Sequence, residues 1–499
     1  MATEVWQRPL GAVPLEGGGV AFRVWAPEAE PTLVLEGREH ALAPSGDGVW
    51  EAEVAAKPGD AYRYRLDGTL WPDPCSRFQP EGVRGPSQVV AYPSVSTGPP
   101  LRLEELVVYE LHVGTFSSEG TFDGVVPRLR ELRELGVTAI ELMPVATFPG
   151  ERGWGYDGVY VYAPHPAYGG PAGLSRLVAA AHGEGLAVIL DVVYNHIGPG
   201  AEAISAFGPY FTDRHATFWG DALDYAQPAV REWAIGNAEM WIRDYGIDGL
   251  RLDAVHAVYD DSPTHVLKEL RDRVKRIGAD AFVISEMGPD DFRPLEEWGH
   301  DAMWLDNLHH ELHVLLTGER EGYYADFGTM DGLVHELTRE HPEQLVVCAQ
   351  NHDQVGNRAV GDRLPPDAHR VALAVVLFST ATPLLFMGEE YDESRPFQFF
   401  TDHIDPLIAD ATREGRRREF EKFAAFAGED VPDPQALSTF ERSKHEPREP
   451  DLLYRELLRL RRELPRELHV ETRGRRLTLT RGRTTLVADF EHRIVELHG

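Results

Sequence analysis

The chain has 499 residues, more than a single hydrophobic core usually organises, so we expect one large domain with smaller domains beside it. Its formal net charge of −32 argues against nucleic acid and anionic membranes as partners, because phosphate groups would be repelled. The two cysteines, Cys75 and Cys348, lie far apart and indicate no disulfide framework. We recognise neither a signal peptide nor an apolar stretch that could span a bilayer, and therefore expect a cytoplasmic protein.

Residues 1–95 have the pattern of a small β-sandwich. Short runs that alternate apolar and polar residues are separated by turns rich in glycine and proline, as is typical of sandwich domains. The predicted strands are Ala21–Trp25, Thr32–Leu35, Val49–Val54 and Tyr62–Arg65. The next segment, Tyr92–Pro100, is rich in Pro, Ser and Gly and is predicted to be a linker.

Residues 101–430 alternate between apolar strands and amphipathic helices. One helix is predicted over Pro228–Tyr245, where a proline stands at the start and Gly246 follows the end. Eight strands in one continuous region favour a (β/α)₈ barrel over an open sheet. The predicted strands are Leu106–Val113, Thr138–Met143, Ala187–Tyr194, Gly249–Ala254, Ala281–Glu286, Ala302–Asp306, Leu345–Ala349 and Pro383–Met387.

The last region, residues 450–499, is predicted to hold a small C-terminal β-domain. Leu468–Leu497 alternates apolar and polar residues again, with turn residues between the runs. Between the barrel and this domain, Arg413–Arg418 is strongly basic. Such a run of charges is typical of a solvated helix face, and we interpret it in that way.

The predicted strand ends of the central region are unusually polar, and reactive residues of such barrels collect there. On the fourth strand, the period of two places Arg251 and Asp253 on one face. A buried carboxylate needs a partner, and an arginine two residues away supplies one that keeps Asp253 anionic and suited to be a nucleophile. A purely structural ion pair is the alternative interpretation of these two residues.

Two more carboxylates follow strands five and seven. Glu286 ends an apolar strand, which suits a general acid, although for this residue alone a helix cap or a lysine partner is the better explanation. Asp353, after His352, is just as ambiguous by itself. Three carboxylates at three strand ends of one barrel instead indicate a glycosidase, which needs an acid and a nucleophile or base flanking one bond. The third carboxylate would stabilise developing positive charge.

The aromatic and histidine residues near these ends have two interpretations each. Trp154 and Tyr156 lie in a glycine-flanked loop after strand two, where they would either stack on a sugar ring or pack under the barrel rim. His196, His256 and His352 lack a short metal-ligand spacing. Hydrogen bonds to sugar hydroxyls explain these histidines better, so we expect no metal and no other cofactor.

Four ordered segments resemble the four short conserved regions of the α-amylase superfamily. They are Asp191–His196, Gly249–Asp253, Glu286 and Asn351–Asp353. The resemblance covers the central domain, and the N-terminal β-domain resembles the sandwich of branching and debranching relatives. It implies that Asp253 is the nucleophile, Glu286 the acid/base and Asp353 the transition-state stabiliser. The sugar subsite would be formed by Tyr156, Asn195, His196, Arg251, His256, Asn351 and His352.

Within that superfamily the chain resembles the branch that releases trehalose from maltooligosyl trehalose. The residues that carry this likeness are Val108–Phe116, Pro209–Asp213, Arg251–His256, Gln350–Arg358, Phe386–Glu390, Phe400–His403 and Arg413–Arg418. The likeness implies that Asp306, Asn307 and His310 contact substrate, a maltodextrin that ends in trehalose. The run Met287–Asp291 departs from the Asn-Asp type run usual in that branch, and the chain is shorter than its typical members.

The reaction implied is hydrolysis, with retention, of the α-1,4 bond next to the trehalose end. An α-1,4-glucan branching enzyme is the first alternative, because it would share the barrel, the three carboxylates and the sandwich. A non-catalytic barrel that binds glycans or a partner protein is the alternative from another class, and a metal-dependent hydrolase ranks below both. The sequence does not indicate an oligomeric state.

Overall fold

The computed structural model describes residues 4–92, 95–217, 219–288, 290–420 and 431–499. Its N-terminal part contains two antiparallel sheets, ordered β1-β2-β6-β5 and β4-β3-β7-β8, with β9 paired to β7. The strands are β1 (Gly11–Pro14), β2 (Val20–Trp25), β3 (Thr32–Leu35), β4 (Arg38–Ala41), β5 (Ala43–Gly46), β6 (Val49–Val54), β7 (Ala61–Leu66), β8 (Thr69–Trp71) and β9 (Ser87–Gln88). Phe22 of the first sheet meets Tyr62 of the second at 5.0 Å between ring centroids, so the sheets pack face to face. The predicted β-sandwich and its four predicted strands are confirmed.

Among the described residues, the central part contains twelve strands, eight of which close into a barrel. They are β10 (Val108–Leu111), β11 (Ala139–Leu142), β12 (Ala146–Thr147), β13 (Tyr160–Pro164), β14 (Ala187–Val192), β15 (Phe211–Thr217), β16 (Gly220–Leu223), β17 (Gly249–Leu252), β18 (Phe282–Ser285), β19 (Ala302–Trp304), β20 (Leu345–Cys348) and β21 (Thr382–Phe386). The barrel order is β10-β11-β14-β17-β18-β19-β20-β21, and β21 pairs in parallel with β10. All eight predicted barrel strands are confirmed. The pairs β12-β13 and β15-β16 are hairpins in the loops above the barrel.

Helices surround the barrel strands, as a βα repeat requires. The described α-helices are α1 (Val113–Phe116), α2 (Phe122–Val125), α3 (Leu129–Leu135), α4 (Gly170–Gly183), α5 (Glu202–Phe207), α6 (Pro228–Met240), α7 (Val266–Ile277), α8 (Arg293–Glu296), α9 (Asn307–Thr317), α10 (Met330–Leu337), α11 (His352–Gly356), α12 (Pro366–Phe378), α13 (Pro406–Phe420), α14 (Leu437–Arg442) and α15 (Leu452–Glu463). Short 3₁₀ turns lie at Glu4–Gln7, Leu103–Glu105, Val126–Arg128, Pro166–Tyr168, Val255–Ala257, Gly322–Tyr324, Pro342–Gln344 and Glu389–Tyr391.

The helix predicted over Pro228–Tyr245 has the predicted length but two parts. It is α-helical to Met240 and continues as a π-helical turn over Trp241–Tyr245. Gly246 ends it at φ +73°, a left-handed conformation that glycine adopts without a steric penalty.

The C-terminal sheet is antiparallel and four-stranded, with β22 (His469–Arg473), β23 (Arg476–Arg481), β24 (Thr484–Asp489) and β25 (Ile494–His498). Leu477, Leu479 and Leu486 are buried in its core, and β24 and β25 pack on α12. The small C-terminal β-domain is therefore confirmed. The boundaries 1–95, 101–430 and 450–499 stay predictions, and residue 430 itself lies outside the described residues. No helix of the described ranges combines the length and apolarity needed to cross a membrane.

Candidate active site

The polar strand ends meet at the carboxyl-terminal mouth of the barrel. The register pairs Asp191 of β14 with Arg251 of β17, and Arg251 with Ile284 of β18. The backbone N–H of Asp253 still donates to Val192, and that of Glu286 donates to Leu252. Asp253 and Glu286, the first residues after β17 and β18, are therefore placed by the continuation of the barrel ladder, which is a rigid support.

The buried guanidinium of Arg251 joins three carboxylates. Its Nη1 donates to Asp191 Oδ2 at 2.7 Å and to Asp253 Oδ1 at 2.9 Å, and its Nη2 donates to Glu286 Oε2 at 2.8 Å. Its Cζ lies 4.1 Å from the ring centroid of Trp304, so an aromatic face covers the cation. The predicted pairing of Arg251 with Asp253 is present. In addition, one planar group holds Asp253 and Glu286 side by side, which the sequence did not indicate.

The backbone after Asp253 is bent toward Glu286. Ala254 has φ +40°, in the left-handed region that side chains other than glycine seldom adopt. This turn lets the N–H of Ala254 donate to Glu286 Oε2 at 2.8 Å. A strained residue between two candidate catalytic carboxylates is the kind of outlier that clusters at functional sites.

Asn195 orients Asp253 from the other side. Its Nδ2 donates to Asp253 Oδ2 and to the Asp253 carbonyl, both at 2.8 Å. Its Oδ1 bonds to His196, whose ring stacks on Trp219 with centroids 4.2 Å apart. Asp253, at 8% exposure, is thus fixed by Arg251 on one oxygen and Asn195 on the other. Its position is set before any substrate arrives.

Asp353 belongs to a second network, centred on His352. His352 Nδ1 donates to Glu110 Oε1 at 2.5 Å, and its Nε2 lies 3.3 Å from Asp353 Oδ2. The Nε2 also bonds at 2.8 Å to the hydroxyl of Tyr156, which donates to Asp191 Oδ2 at 2.6 Å. This chain links the Asp353 side of the mouth to Arg251 through Tyr156 and Asp191.

The charges of these groups follow from burial and their neighbours. Burial alone would lower the pKa of His352, but the carboxylates of Asp353 and Glu110 raise it to about 10. Burial raises the pKa of Asp191 to about 7 although Arg251 lies beside it. Burial also raises the pKa of Asp353, with Glu286 acting in the same direction. His352 is therefore a cation at neutral pH and partly balances the carboxylates around it.

Replacing His352 by Asn is expected to remove a pH-dependent part of the stability. The folded pKa of His352, about 10, lies above its ordinary value of 6.5. The stability due to its charge is therefore fully present below about pH 6.5 and is lost as the pH rises through about 10. Urea unfolding at pH 6.5, 8 and 10 should show a wild-type advantage that shrinks with pH. A difference in the free energy of unfolding that does not change with pH would contradict the charged state of His352. The variant Glu134→Gln, at an exposed position, is the control.

The structure places the predicted substrate residues at different depths. Asp306, half-buried, lies close enough to Glu286 and Asp353 that burial, and then these like charges, raise its pKa to about 7. Asn307 and His310 are buried on α9. His256 is exposed on the turn Val255–Ala257. Asn351 is buried, and its Oδ1 accepts from the N–H of Gln354 and caps α11.

The segment after Glu286 contacts α9. Asp290, at φ +58°, accepts from Asn307 Nδ2 at 3.5 Å and from Arg339 Nη2 at 2.7 Å. Pro289, in the same run, lies outside the described residues. The departure from the usual sequence therefore lies next to a predicted substrate residue, and its effect on recognition stays a prediction.

Two site residues were missed by the sequence interpretation, Glu110 and Glu141. Both are fully buried inward-facing carboxylates on the neighbouring strands β10 and β11. Neither oxygen of Glu141 has a hydrogen-bond partner in the described residues, and burial raises its pKa well above the ordinary value. A charged residue inside a short apolar strand, as in Val108–Leu111 and Ala139–Leu142, was the signal that could have found them.

The chain matches two family models. Residues 110–208 and 205–430 match the alpha amylase catalytic domain, and residues 9–76 match carbohydrate-binding module 48, the isoamylase N-terminal domain. The chain is thus a glycosidase of the α-amylase superfamily. It is 45% identical over 504 residues to malto-oligosyltrehalose trehalohydrolase of Deinococcus radiodurans, covering 91% of this chain and 83% of that protein. The chain belongs to the malto-oligosyltrehalose trehalohydrolase family.

Other relatives agree with this placement. The malto-oligosyltrehalose trehalohydrolase of Saccharolobus solfataricus is 40% identical, with 97% of this chain and 93% of that protein covered. A 1,4-alpha-glucan branching enzyme of Corynebacterium jeikeium is 28% identical over 78% of this chain and 63% of that protein. Among solved structures, one titled as an alpha amylase from Salmonella typhimurium has a TM-score of 0.85 at 38% identity, covering 96% of this chain and 92% of that one.

Proposed function

We propose that this trehalohydrolase family member hydrolyses the α-1,4-glucosidic bond next to the trehalose end of maltooligosyl trehalose. The products are trehalose and a shorter maltodextrin. The names of the relatives at 40–45% identity support the substrate. The observation that carries the reaction type is the single Arg251 guanidinium, which binds both Asp253 and Glu286.

This bridge supports a retaining mechanism. Retaining glycosidases hold their two carboxyl groups about 5–5.5 Å apart, whereas inverting enzymes leave about 6.5–9.5 Å for a water molecule. Asp253 and Glu286 accept from the two terminal nitrogens of one guanidinium, at 2.9 and 2.8 Å, and this close placement supports the retaining arrangement. Arg251 Nη1 also holds one oxygen of Asp253 at 2.9 Å, which fixes the direction of the carboxylate that would attack C1.

In the first step Glu286 gives its proton to the glycosidic oxygen while a carboxylate oxygen of Asp253 bonds to C1. The C1–O bond breaks, and its electron pair leaves with the trehalose hydroxyl. In the second step water attacks C1 from the face that trehalose left. Glu286 takes the proton of that water and Asp253 leaves, so the new reducing end has the α-configuration.

Asp353 completes the proposed site from the opposite side. Its carboxylate beside His352 stabilises the positive charge that develops on the sugar ring in the transition state of each step. Tyr156 stacks on His352 with ring centroids 5.1 Å apart, which fixes the wall of the same subsite. The glucan substrate is neutral, so the acidic surface of the protein does not repel it. We also propose a cytoplasmic location for the enzyme.

The test is to follow maltotriosyl trehalose and maltopentaose separately by proton NMR. We expect free trehalose and maltotriose from the first substrate, with the α-anomer of maltotriose appearing before mutarotation. Maltopentaose should be cleaved much more slowly. Equal rates on the two substrates, or new α-1,6 branches as a branching enzyme would make, would overturn the proposed substrate. The β-anomer as first product would overturn the retaining mechanism.

A further inference from the structure

One arginine of the basic run Arg413–Arg418 is not solvated. Arg417 and Arg418 of α13 are exposed, as the charge pattern predicted. Arg416 is only 9% exposed and lies against the barrel. The interpretation of the run as a solvated face is therefore wrong for Arg416, because the docking of α13 turns this one residue inward.

Arg416 is held between aromatic rings and backbone carbonyls. Its Cζ lies 5.4 Å from the ring centroid of Phe399 and 4.6 Å from that of Phe420. Its Nη2 donates to the carbonyl oxygen of Gly356 at 2.8 Å and to that of Arg358 at 2.9 Å. A guanidinium taken out of water needs such acceptors, so this position is determined by the two carbonyls as much as by the rings.

Gly356 ends the helix that carries Asp353, and Arg358 lies in the turn just after it. Helix α11 spans His352–Gly356, and cations are favourable at a helix C-terminus. Asn357, between the two carbonyls, donates from Nδ2 to Asp353 Oδ1 at 2.9 Å. Trp154 closes the other side of this turn, because a Cβ on Gly356 would lie 2.1 Å from its ring. The turn is thus fixed between Trp154 and Arg416.

We propose that Arg416 is a positioning residue for Asp353. By binding the carbonyls of Gly356 and Arg358, it holds the turn after α11, and through Asn357 it fixes the direction of the Asp353 carboxylate. The inference rests on the proposed role of Asp353 in the mechanism. It adds a requirement that α13, a helix outside the barrel ladder, be docked for full turnover.

The test compares Arg416→Met, which keeps the length and loses the donors, with Arg416→Lys and with Arg417→Met as the control on the same helix. Arg416→Met is expected to lower kcat by about 10- to 100-fold, because a displacement of about 1 Å can have that effect. KM should change by less than about threefold, since Arg416 does not contact substrate. Lysine should restore part of the loss, and the Arg417 variant should behave as wild type.

A double-mutant cycle separates positioning from a merely structural role. In the Asp353→Asn background, Arg416→Met should cause little further loss, because its effect passes through the carboxylate already removed. All rates are measured on the glucan that the wild type turns over fastest. The ratio of variant to wild-type rates therefore stays valid even if that glucan is not maltooligosyl trehalose. Hydrogen exchange of residues 352–358 gives a readout independent of turnover and should be faster in Arg416→Met only. An unchanged kcat, unchanged exchange, or an equal fold-loss in both backgrounds would overturn the proposal.

Discussion

Replacing Asp253 by Asn is expected to lower kcat by at least about 10⁴-fold, the scale seen when an essential nucleophile is removed. The amide cannot form the covalent intermediate, so both steps of the mechanism stop. The fold should persist, because Asn has nearly the same shape and its oxygen can still accept from Arg251, which also stays bound to Asp191 and Glu286. Trehalose release and thermal unfolding are measured together on the purified variant.

The control for this change is Asp280→Asn, an exposed aspartate at the opposite end of the neighbouring strand. It should keep wild-type turnover and thermal stability. The expected remaining activity is far below a tenth of wild type. If the Asp253→Asn enzyme kept about a tenth of wild-type kcat, Asp253 would be rejected as the nucleophile.

Replacing Glu286 by Gln is expected to lower kcat on maltooligosyl trehalose by about 10²–10⁴-fold, the usual contribution of a general acid–base group. Gln keeps an oxygen for Arg251 and for the N–H of Ala254, so the loss should come from the missing proton. A maltooligoside with a dinitrophenyl leaving group needs no protonation. With this substrate, Glu286→Gln should slow the formation of the glycosyl-enzyme far less. Burst kinetics measure that first step separately from hydrolysis.

The leaving-group comparison has its own control in Asp253→Asn. In that variant the rates on both substrates should fall by the same factor, because the nucleophile is needed whatever the leaving group. An equal loss on both substrates in Glu286→Gln would contradict the role of Glu286 as the acid.

The strands and helices of this fold were predictable because their buried positions follow regular patterns of apolar residues along the chain. The strands of a parallel barrel are covered on both faces and read as short apolar runs, as in Ala187–Val192. Some bounds were predicted too long, as for the third barrel strand, which was predicted to reach Tyr194 and ends at Val192. The hairpins β12-β13 and β15-β16 were missed, since short loop strands have register irregularities and little alternation.

The site was predictable only as far as local periodicity reaches. Strand alternation identified the pair of Arg251 and Asp253. The contact of Glu110 with His352 joins residues 242 positions apart and exists only because the barrel closes. The burial of Arg416 depends on how α13 docks, which the charge run alone could not indicate. What was missed is therefore tertiary contact between segments distant in the chain.

Azide trapping with the Glu286→Gln enzyme and the dinitrophenyl substrate tests the roles of Asp253 and Glu286 together. Without its base, this variant should accumulate the glycosyl-enzyme on Asp253. Azide needs no base and attacks C1 from the open α face, so turnover should recover and the product should be the α-glycosyl azide. Proton NMR distinguishes the two anomers by the coupling of H1 to H2. A β-glycosyl azide, or no rescue by azide, would contradict Asp253 as nucleophile and Glu286 as acid/base.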